Sequence, residues 1–297
     1  MFNAFQAKYS TMPTPAVRQP ANPRITVLTF IILTFLFSSV FWYLIATTDL
    51  TAENANRVLG YTIANMWCPA IAAIITRLYF QRNLDGFGFS PGQPKWLLFS
   101  LVLPIAVGLV MFGTAWITGI APFSDAGAAR VFSATIVPTF LFLLLFNCFA
   151  AAGEELGWRG FLVPELDRFL GFTELALLSG AIWTSWHFPL ILFGTYHGTG
   201  SITSSFAVFI PSVMGAAVVL AWLRLVSGSV WTAILFHGFW NFFIQQFYPL
   251  LTTPTDAGSM MLGEFGWFVA LAYVVLALVF WHFRDRVPGR ERSPSPG

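Results

Sequence analysis

The chain has 297 residues, of which 57% are hydrophobic, 18% aromatic and only 9% charged, and this composition excludes a water-soluble globular domain. Its formal net charge is +2, and its basic residues are scattered instead of forming the single patch that a nucleic-acid-binding protein needs. We therefore expect an all-α, polytopic membrane protein, with the lipid bilayer and no nucleic acid among its partners.

The chain begins with a polar, proline-rich segment over residues 1–24, which has no apolar stretch of its own. We predict a disordered cytoplasmic tail there instead of a cleaved signal. A single transmembrane helical domain is predicted over residues 25–283. Residues 284–297 are basic and then rich in Pro and Ser, which predicts a second cytoplasmic tail.

Apolar windows long enough to cross a bilayer, each of about 20 residues, recur along this domain. Eight of them lie near residues 25–46, 57–80, 95–118, 132–153, 174–194, 203–226, 229–248 and 264–283. With the N-terminus inside, all Lys and Arg residues except Arg57 and Arg130 fall on the cytoplasmic side. An odd number of spans would scramble that asymmetry. We therefore predict a bundle of about eight helices with both termini cytoplasmic, in the plasma membrane of a bacterium.

The fourth window ends in charged residues, in the run Ala-Ala-Gly-Glu154-Glu155-Leu-Gly-Trp-Arg159. An ionised side chain at membrane depth costs about 2.5–3.5 kcal/mol on insertion scales, so such residues pair or do chemistry. On a helix Glu155 and Arg159 are four apart and are predicted to pair, whereas Glu154 points about 100° away. If the helix continues beyond Arg159, Glu154 lies about 14 Å above its cytosolic end. A carboxylate buried there can take a proton from water and return it.

Two later windows carry imidazoles at a similar depth. His187 is predicted about 15–20 Å from the cytosolic end of the fifth span, and His237 about 12 Å from that of the seventh. Asn241 follows His237 by one turn on the same face. We expect these groups to share one site with Glu154 and to be reached from the cytosolic side. His197 and His282 are predicted to be solvated or interfacial.

Taken together, Glu154-Glu155-x-x-x-Arg159, Trp183-x-x-x-His187 and His237-x-x-x-Asn241 resemble the three motifs of the CPBP family of intramembrane endopeptidases, which includes type II CAAX-prenyl proteases. Trp183 departs from the Phe that is usual in the family. The resemblance implies that Glu154 and His187 activate water, that His237 and Asn241 stabilise the oxyanion, and that Glu155 and Arg159 support the first motif. It places the catalytic core at about 132–248 and implies a membrane-associated peptide or protein substrate, for example a prenylated one.

Other functions fit parts of the same pattern. Two histidines and a carboxylate, His187, His237 and Glu154, could hold a catalytic zinc, although no HExxH motif is present; we expect no cofactor. A proton-coupled transporter uses intramembrane acids and histidines too, but predicts inverted repeats and sites at the midplane. A non-catalytic scaffold for lipidated peptides is a third reading. The sequence gives no oligomeric state.

Overall fold

The computed structural model describes residues 22–288. About 78% of it is helical, and within the described residues an isolated bridge between Phe123 and Thr252 is the only β-pairing. The predicted all-α fold class is confirmed. The predicted tails lie largely outside the described residues. At their edges, the first helix already begins at Pro23, and Arg284–Arg286 form a short 3-10 turn.

Each of the eight apolar windows contains a helix. In chain order these are α1 (Pro23–Ala46), α2 (Ala55–Phe80), α3 (Pro94–Thr118), α4 (Val137–Glu155), α5 (Phe172–Phe193), α6 (Ile202–Ser227), α7 (Trp231–Phe242) and α8 (Trp267–His282). Short helices at Asp125–Val131 and Asp256–Met261 lie in the connections. Six helical segments are long and apolar enough to span a membrane, whereas α7 and α8 are shorter. The protein is thus an integral, multi-pass membrane protein, and the count of eight spans stays a prediction.

The helix of the fourth window does continue beyond Arg159, as predicted, but not as a regular α-helix. α4 passes into a π-helical segment over Leu156–Leu162 and then into a last turn, Val163–Asp167. π-helical turns are rare and frequently accompany functional sites. Glu154 therefore lies 13 residues before the end of the helix at Asp167, which is about 20 Å instead of 14 Å at 1.5 Å per residue.

α6 forms the centre of the bundle, because 72% of its apolar window is buried against 22% in the α4 segment. It packs between α5 and α8, while α4 packs against α2 and α7. Glycines bring these last three helices together. A Cβ on Gly157 would lie 2.4 Å from Cβ of Pro69 in α2, and one on Gly238 of α7 would lie 2.7 Å from Sγ of Cys148 in α4. Both glycines adjoin candidate site residues, so the close approaches set the spacing of the site.

A buried ionic cluster joins α1, α2 and the last turn after α4 at one end of the bundle. Glu165, in the last turn after α4, is bonded by Arg77 at 3.1 Å and by Arg168 at 2.7 Å. Thr26 of α1 and Gln81 after α2 also donate to its carboxylate, at 3.2 and 3.3 Å. A buried carboxylate is tolerated when it is paired and fully hydrogen-bonded in this way. The cluster therefore fixes α1, α2 and the end of the fourth helical segment relative to one another.

Candidate active site

A cavity of about 550 Å³ opens among α2, α4, α5, α6, α7 and α8. Candidate residues from all three motifs line it: Glu154, Trp183, His187, His237 and Asn241. Apolar side chains, including Leu59, Met66, Leu143 and Phe146, form much of the remaining wall. The predicted convergence of the motifs on one site is therefore present in the fold.

Glu154 is buried at the C-terminal end of α4. The indole Nε1 of Trp183 donates a hydrogen bond of 2.7 Å to its Oε2. This contact was not expected from the sequence, where Trp183 figured only as aromatic bulk in the place of Phe. It holds one carboxylate oxygen and leaves Oε1 for a further partner in the cavity.

Glu155 accepts from two groups through a single oxygen. Arg159 lies 2.8 Å from its Oε1, as the i,i+4 spacing predicts, and Nδ1 of His237 lies 2.9 Å from the same atom. The guanidinium of Arg159 also lies 4.0 Å from the centre of the Trp183 ring, a cation–π geometry. Because Glu155 and Arg159 are almost fully buried, the pair depends on these contacts for its stability. Glu155 thus orients an imidazole as well as its arginine, which sequence spacing alone did not reveal.

His187 is held by its own helix and by aromatic rings. Its Nδ1 lies 2.9 Å from the carbonyl oxygen of Trp183. A carbonyl only accepts hydrogen bonds, so Nδ1 carries the proton and Nε2 carries the lone pair of the neutral ring. Trp186 and Phe209 pack edge-on against the imidazole, with ring centroids at 4.7 and 5.0 Å. His187 is therefore arranged as an acceptor toward the cavity.

Amide side chains line the other wall of the cavity. Asn241 follows His237 by one turn of α7, and its Oδ1 accepts from Nε2 of Gln245 at 3.4 Å. Gln246 donates to Oδ1 of Asn147 in α4, also at 3.4 Å. The bond to its carbonyl oxygen turns the amide of Asn241 so that its NH2 group remains a donor.

Two residues of the cavity were missed by the sequence interpretation. The hydroxyl of Tyr196 donates a short hydrogen bond to the carboxyl of Glu264, and both side chains line the cavity. They come from the connection between α5 and α6 and from the segment before α8. Glu264 is the first residue of the last apolar window, and an acid at that position was the available signal. The neighbouring His197 is exposed, as is His282, and the solvated or interfacial environment expected for both stays a prediction.

The motif residues do not form a recognisable metal site. Within residues 22–288, no three His, Cys, Asp or Glu side chains are arranged so that they could hold one metal ion. Nδ1 of His187 and Nδ1 of His237 are already bonded to a carbonyl and a carboxylate. These bonds leave Nε2 as the available nitrogen of each ring. The zinc set considered from the sequence, Glu154 with the two histidines, is not among side chains of the described chain that are grouped to hold one ion.

The cavity lies in one half of the bundle. It is lined by Ile45 at the end of α1, by Leu59 near the start of α2, and by Thr195 and Glu264 in connections. Within the described chain, no lining residue comes from the connections at the opposite end of the bundle, which lie at 81–93, 168–171 and 228–230. The Lys and Arg pattern places the cavity end of the bundle on the non-cytoplasmic side of the membrane. The predicted orientation and the expected access of a peptide from the cytosolic side therefore cannot both be correct.

The fold and the site together define a polytopic integral membrane protein with a polar, acid–imidazole cavity inside its helical bundle. Residues 134–243 match the family model described as type II CAAX prenyl endopeptidase Rce1-like. The chain is also 29% identical, over 188 residues, to a CAAX prenyl protease 2 of Methanococcus maripaludis. That alignment spans 62% of this chain and 62% of the relative. Both matches support the resemblance to the CPBP family that the motifs carry, and the segment matched by the family model contains Glu154, His187 and His237.

Proposed function

We propose that this protein is an intramembrane endopeptidase that hydrolyses a peptide bond of a membrane-associated substrate. One observation carries the proposal: Glu154, His187, His237 and Asn241, from three different helices, line a single cavity inside the bundle. Amide hydrolysis needs an activated water, a proton donor for the leaving amine and donors aimed at the developing oxyanion. These four side chains can supply all three.

Water would be activated between Glu154 and His187. The carboxylate uses Oε2 for the Trp183 indole, so Oε1 accepts one hydrogen of the water. The lone pair on Nε2 of His187 accepts the other. As the water oxygen attacks the carbonyl carbon, its proton passes to Glu154.

The tetrahedral intermediate carries its negative charge on the former carbonyl oxygen. Nδ1–H of His237 donates to the Glu155 carboxylate, so the ring offers a second donor, Nε2–H, to this oxyanion only as the protonated imidazolium, the form that a neighbouring carboxylate favours. The NH2 group of Asn241 is a further donor. Preorganised donors of this kind contribute about 3–4 kcal/mol each to barrier lowering. The C–N bond then breaks, and Glu154 returns its proton to the leaving amine.

The substrate is proposed to be a peptide segment held at the membrane. The relative from Methanococcus maripaludis is named for prenylated CAAX substrates, and the apolar wall around Leu59, Met66 and Phe146 suits a lipid-bearing or hydrophobic peptide. We propose that the peptide reaches the cavity from the end that carries the connections 47–54, 194–201 and 262–266. Residence in the plasma membrane of a bacterium stays a prediction.

The reaction is proposed to proceed through the protein's own side chains, and no step is assigned to a metal. Support comes from residues 22–288, among which no three His, Cys, Asp or Glu side chains are grouped to hold one ion. Zinc analysis of the purified protein accompanies the activity test below.

The test measures cleavage of quenched peptides, farnesylated and unlipidated, by the detergent-purified protein. Glu154→Gln, His187→Gln and His237→Gln should each lower kcat by about 10²- to 10⁴-fold, the usual contribution of general acid–base groups. Glu174→Gln and His282→Gln alter exposed residues outside the cavity and should leave kcat unchanged.

Each other outcome points to a different conclusion. Wild-type kcat in Glu154→Gln would overturn the mechanism. One equivalent of zinc in the wild type, lost in both histidine variants, would show instead that hydrolysis depends on a bound zinc ion. Proton-driven solute uptake in liposomes without any peptide cleavage would favour the transporter.

A further inference from the structure

Two connections of the chain meet over the cavity at the end away from the ionic cluster of Glu165. The first, residues 194–201, joins α5 to α6, and the second, residues 262–266, precedes α8. Tyr196 of the first donates a hydrogen bond to the Glu264 carboxyl of the second. The mechanism above uses neither side chain, although both line the same cavity as Glu154.

Tyr196 covers one face of the His187 imidazole. Their ring centroids are 5.8 Å apart and their planes differ by 27°, which is an offset stacked arrangement. The other aromatic neighbours of His187 are fixed within α5 and α6; they are Trp183, Trp186 and Phe209. Tyr196 lies instead in a connection, so its position depends on the contacts that hold that connection in place.

Phe209 of α6 contacts the Tyr196 ring edge-on, with centroids 5.7 Å apart, and two further contacts come from the segment before α8. Phe265 packs against the Tyr196 ring with centroids 5.2 Å apart, and it also stacks on Phe209 at 5.4 Å. Glu264 supplies the polar contact through the Tyr196 hydroxyl. A hydrogen bond and a ring contact from adjacent residues thus determine where Tyr196 lies above His187.

The charge state of the pair suits an enclosed site. Burial raises the pKa of the Glu264 carboxyl, although the Tyr196 hydrogen bond and the nearby His237 oppose the shift. Burial, followed by the Glu264 carboxyl, raises the pKa of Tyr196 well above its ordinary value. Burial therefore favours the uncharged form of each side chain, the form that an enclosed site stabilises.

We propose that Tyr196 and Glu264 are positioning residues, forming a clasp between the two connections that holds the His187 imidazole in the orientation needed to accept from water. The proposal deepens the proposed peptidase function and rests on it. Neither residue touches the reacting atoms in this scheme, because both act through His187.

The first test is a double-mutant cycle on peptide cleavage. Tyr196→Phe keeps the ring and loses the hydroxyl, and Glu264→Ala loses the acceptor; each should lower kcat about tenfold with KM unchanged. The double variant Tyr196→Phe/Glu264→Ala should be no slower than either single variant, because all three lack the same bond. Glu264→Gln keeps an oxygen acceptor and should restore most of kcat. Tyr79→Phe, on the exposed surface of α2, is the matched control.

The second test does not need catalysis. Diethyl pyrocarbonate modifies neutral imidazoles, and mass spectrometry can compare labelling of His187 with that of the exposed His282 in the same molecule. Loosening the clasp in Tyr196→Phe or Glu264→Ala should raise the relative labelling of His187 several-fold. Glu264→Gln and Tyr79→Phe should leave it as in the wild type.

The two readouts separate failure of the clasp from failure of the peptidase function. Wild-type kcat or additive losses in the cycle would overturn the positioning role, even if labelling rises. Unchanged His187 labelling would overturn the clasp itself. If the wild type cleaves no peptide while labelling responds as expected, the clasp stands and the peptidase function fails. If Glu154→Gln abolishes cleavage while both readouts of the clasp variants match the wild type, only the clasp fails.

Discussion

The indole Nε1 of Trp183 lies 2.7 Å from Oε2 of Glu154, so the aromatic residue of the second motif is bonded directly to the acid of the first. Phe, which is usual at this position in the family, has no group that could donate. The substitution therefore adds a hydrogen-bond donor to the proposed general base. The Trp183 ring also contacts Arg159 and both histidines.

Replacing Trp183 by Phe tests this bond while keeping an aromatic ring. A hydrogen bond to a charged group contributes about 1.5–3 kcal/mol, so we expect kcat for peptide cleavage to fall about 10- to 100-fold with little change in KM. Trp222→Phe is the control, since Trp222 is equally buried and its indole donates to the carbonyl of Phe283 at 2.9 Å. Equal kcat in Trp183→Phe and the wild type would show that the bond does not orient Glu154.

Glu155 accepts hydrogen bonds from both Arg159 and His237. Its replacement should therefore first of all lower the stability of the folded protein. Glu155→Gln leaves the buried guanidinium unpaired, which typically costs about 3–5 kcal/mol. We expect a clear fall in thermal stability in detergent. The double variant Glu155→Gln/Arg159→Gln removes both charges and should be more stable than Glu155→Gln alone. Additive destabilisation by the two changes would contradict a coupled pair.

Gly157 should not tolerate a side chain. A Cβ there would lie 2.4 Å from Cβ and 2.7 Å from the carbonyl carbon of Pro69, so Gly157→Ala must push α2 and the fourth helical segment apart. We expect a loss of about 1–3 kcal/mol in stability together with lower kcat, because Glu154 moves with its helix. Gly60→Ala, at an open position of α2, should leave both unchanged. Equal melting temperatures for the two variants would refute the packing argument.

The buried carboxyl of Glu264 should make the thermal stability of the protein depend on pH. Its pKa is raised above 4.5 by burial, against the opposing effects of Tyr196 and His237, so the folded state favours the protonated carboxyl. Stability from this group is complete below the unfolded pKa and is lost as pH rises through the folded pKa. The melting temperature of the wild type minus that of Glu264→Gln should therefore decrease from about pH 4.5 to pH 8. A difference that grows with pH would mean that the carboxylate is the stabilised form.

The orientation can be tested by cysteine labelling of intact cells. In a background without Cys68 and Cys148, Thr199→Cys lies in the exposed connection at the cavity end and Asn83→Cys in an exposed connection at the other end. The Lys and Arg pattern predicts that an impermeant maleimide labels Thr199→Cys directly and Asn83→Cys only after permeabilisation. The reverse pattern would put the cavity mouth on the cytosolic side.

The helices could be predicted from the sequence because membrane spans need long apolar runs, and every such window contains one. The residues at which the helices begin and end could not be predicted from the sequence. α1 starts at Pro23 inside the predicted tail, since Pro is well suited to the first turn of a helix. The short helix Asp256–Met261 depends on a Thr255 cap in a segment too polar to give a hydropathy signal.

The candidate site was predictable where the residues lie on one helix. The Glu155–Arg159 pair follows from i,i+4 spacing, and so does the neighbouring placement of His237 and Asn241. The bond from Trp183 to Glu154, the bond from His237 to Glu155, and the contribution of Tyr196 and Glu264 all join residues far apart in sequence. Such contacts depend on how helices and connections pack, which no periodicity within one segment encodes.

Two of the three motif-bearing helices change pitch shortly after their polar residues: the Glu155 helix at Leu156–Leu162 and the Asn241 helix at Phe243–Phe247. A π-turn accommodates what amounts to one inserted residue. Deleting one residue from the regular α-helix would rotate everything downstream by about 100° and carry Glu165 away from Arg77 and Gln81, whereas a deletion within the π-helical stretch is absorbed by a return to α-helical pitch. Homologous chains should therefore accept a loss of one position within these two stretches more readily than in the regular helices that precede them.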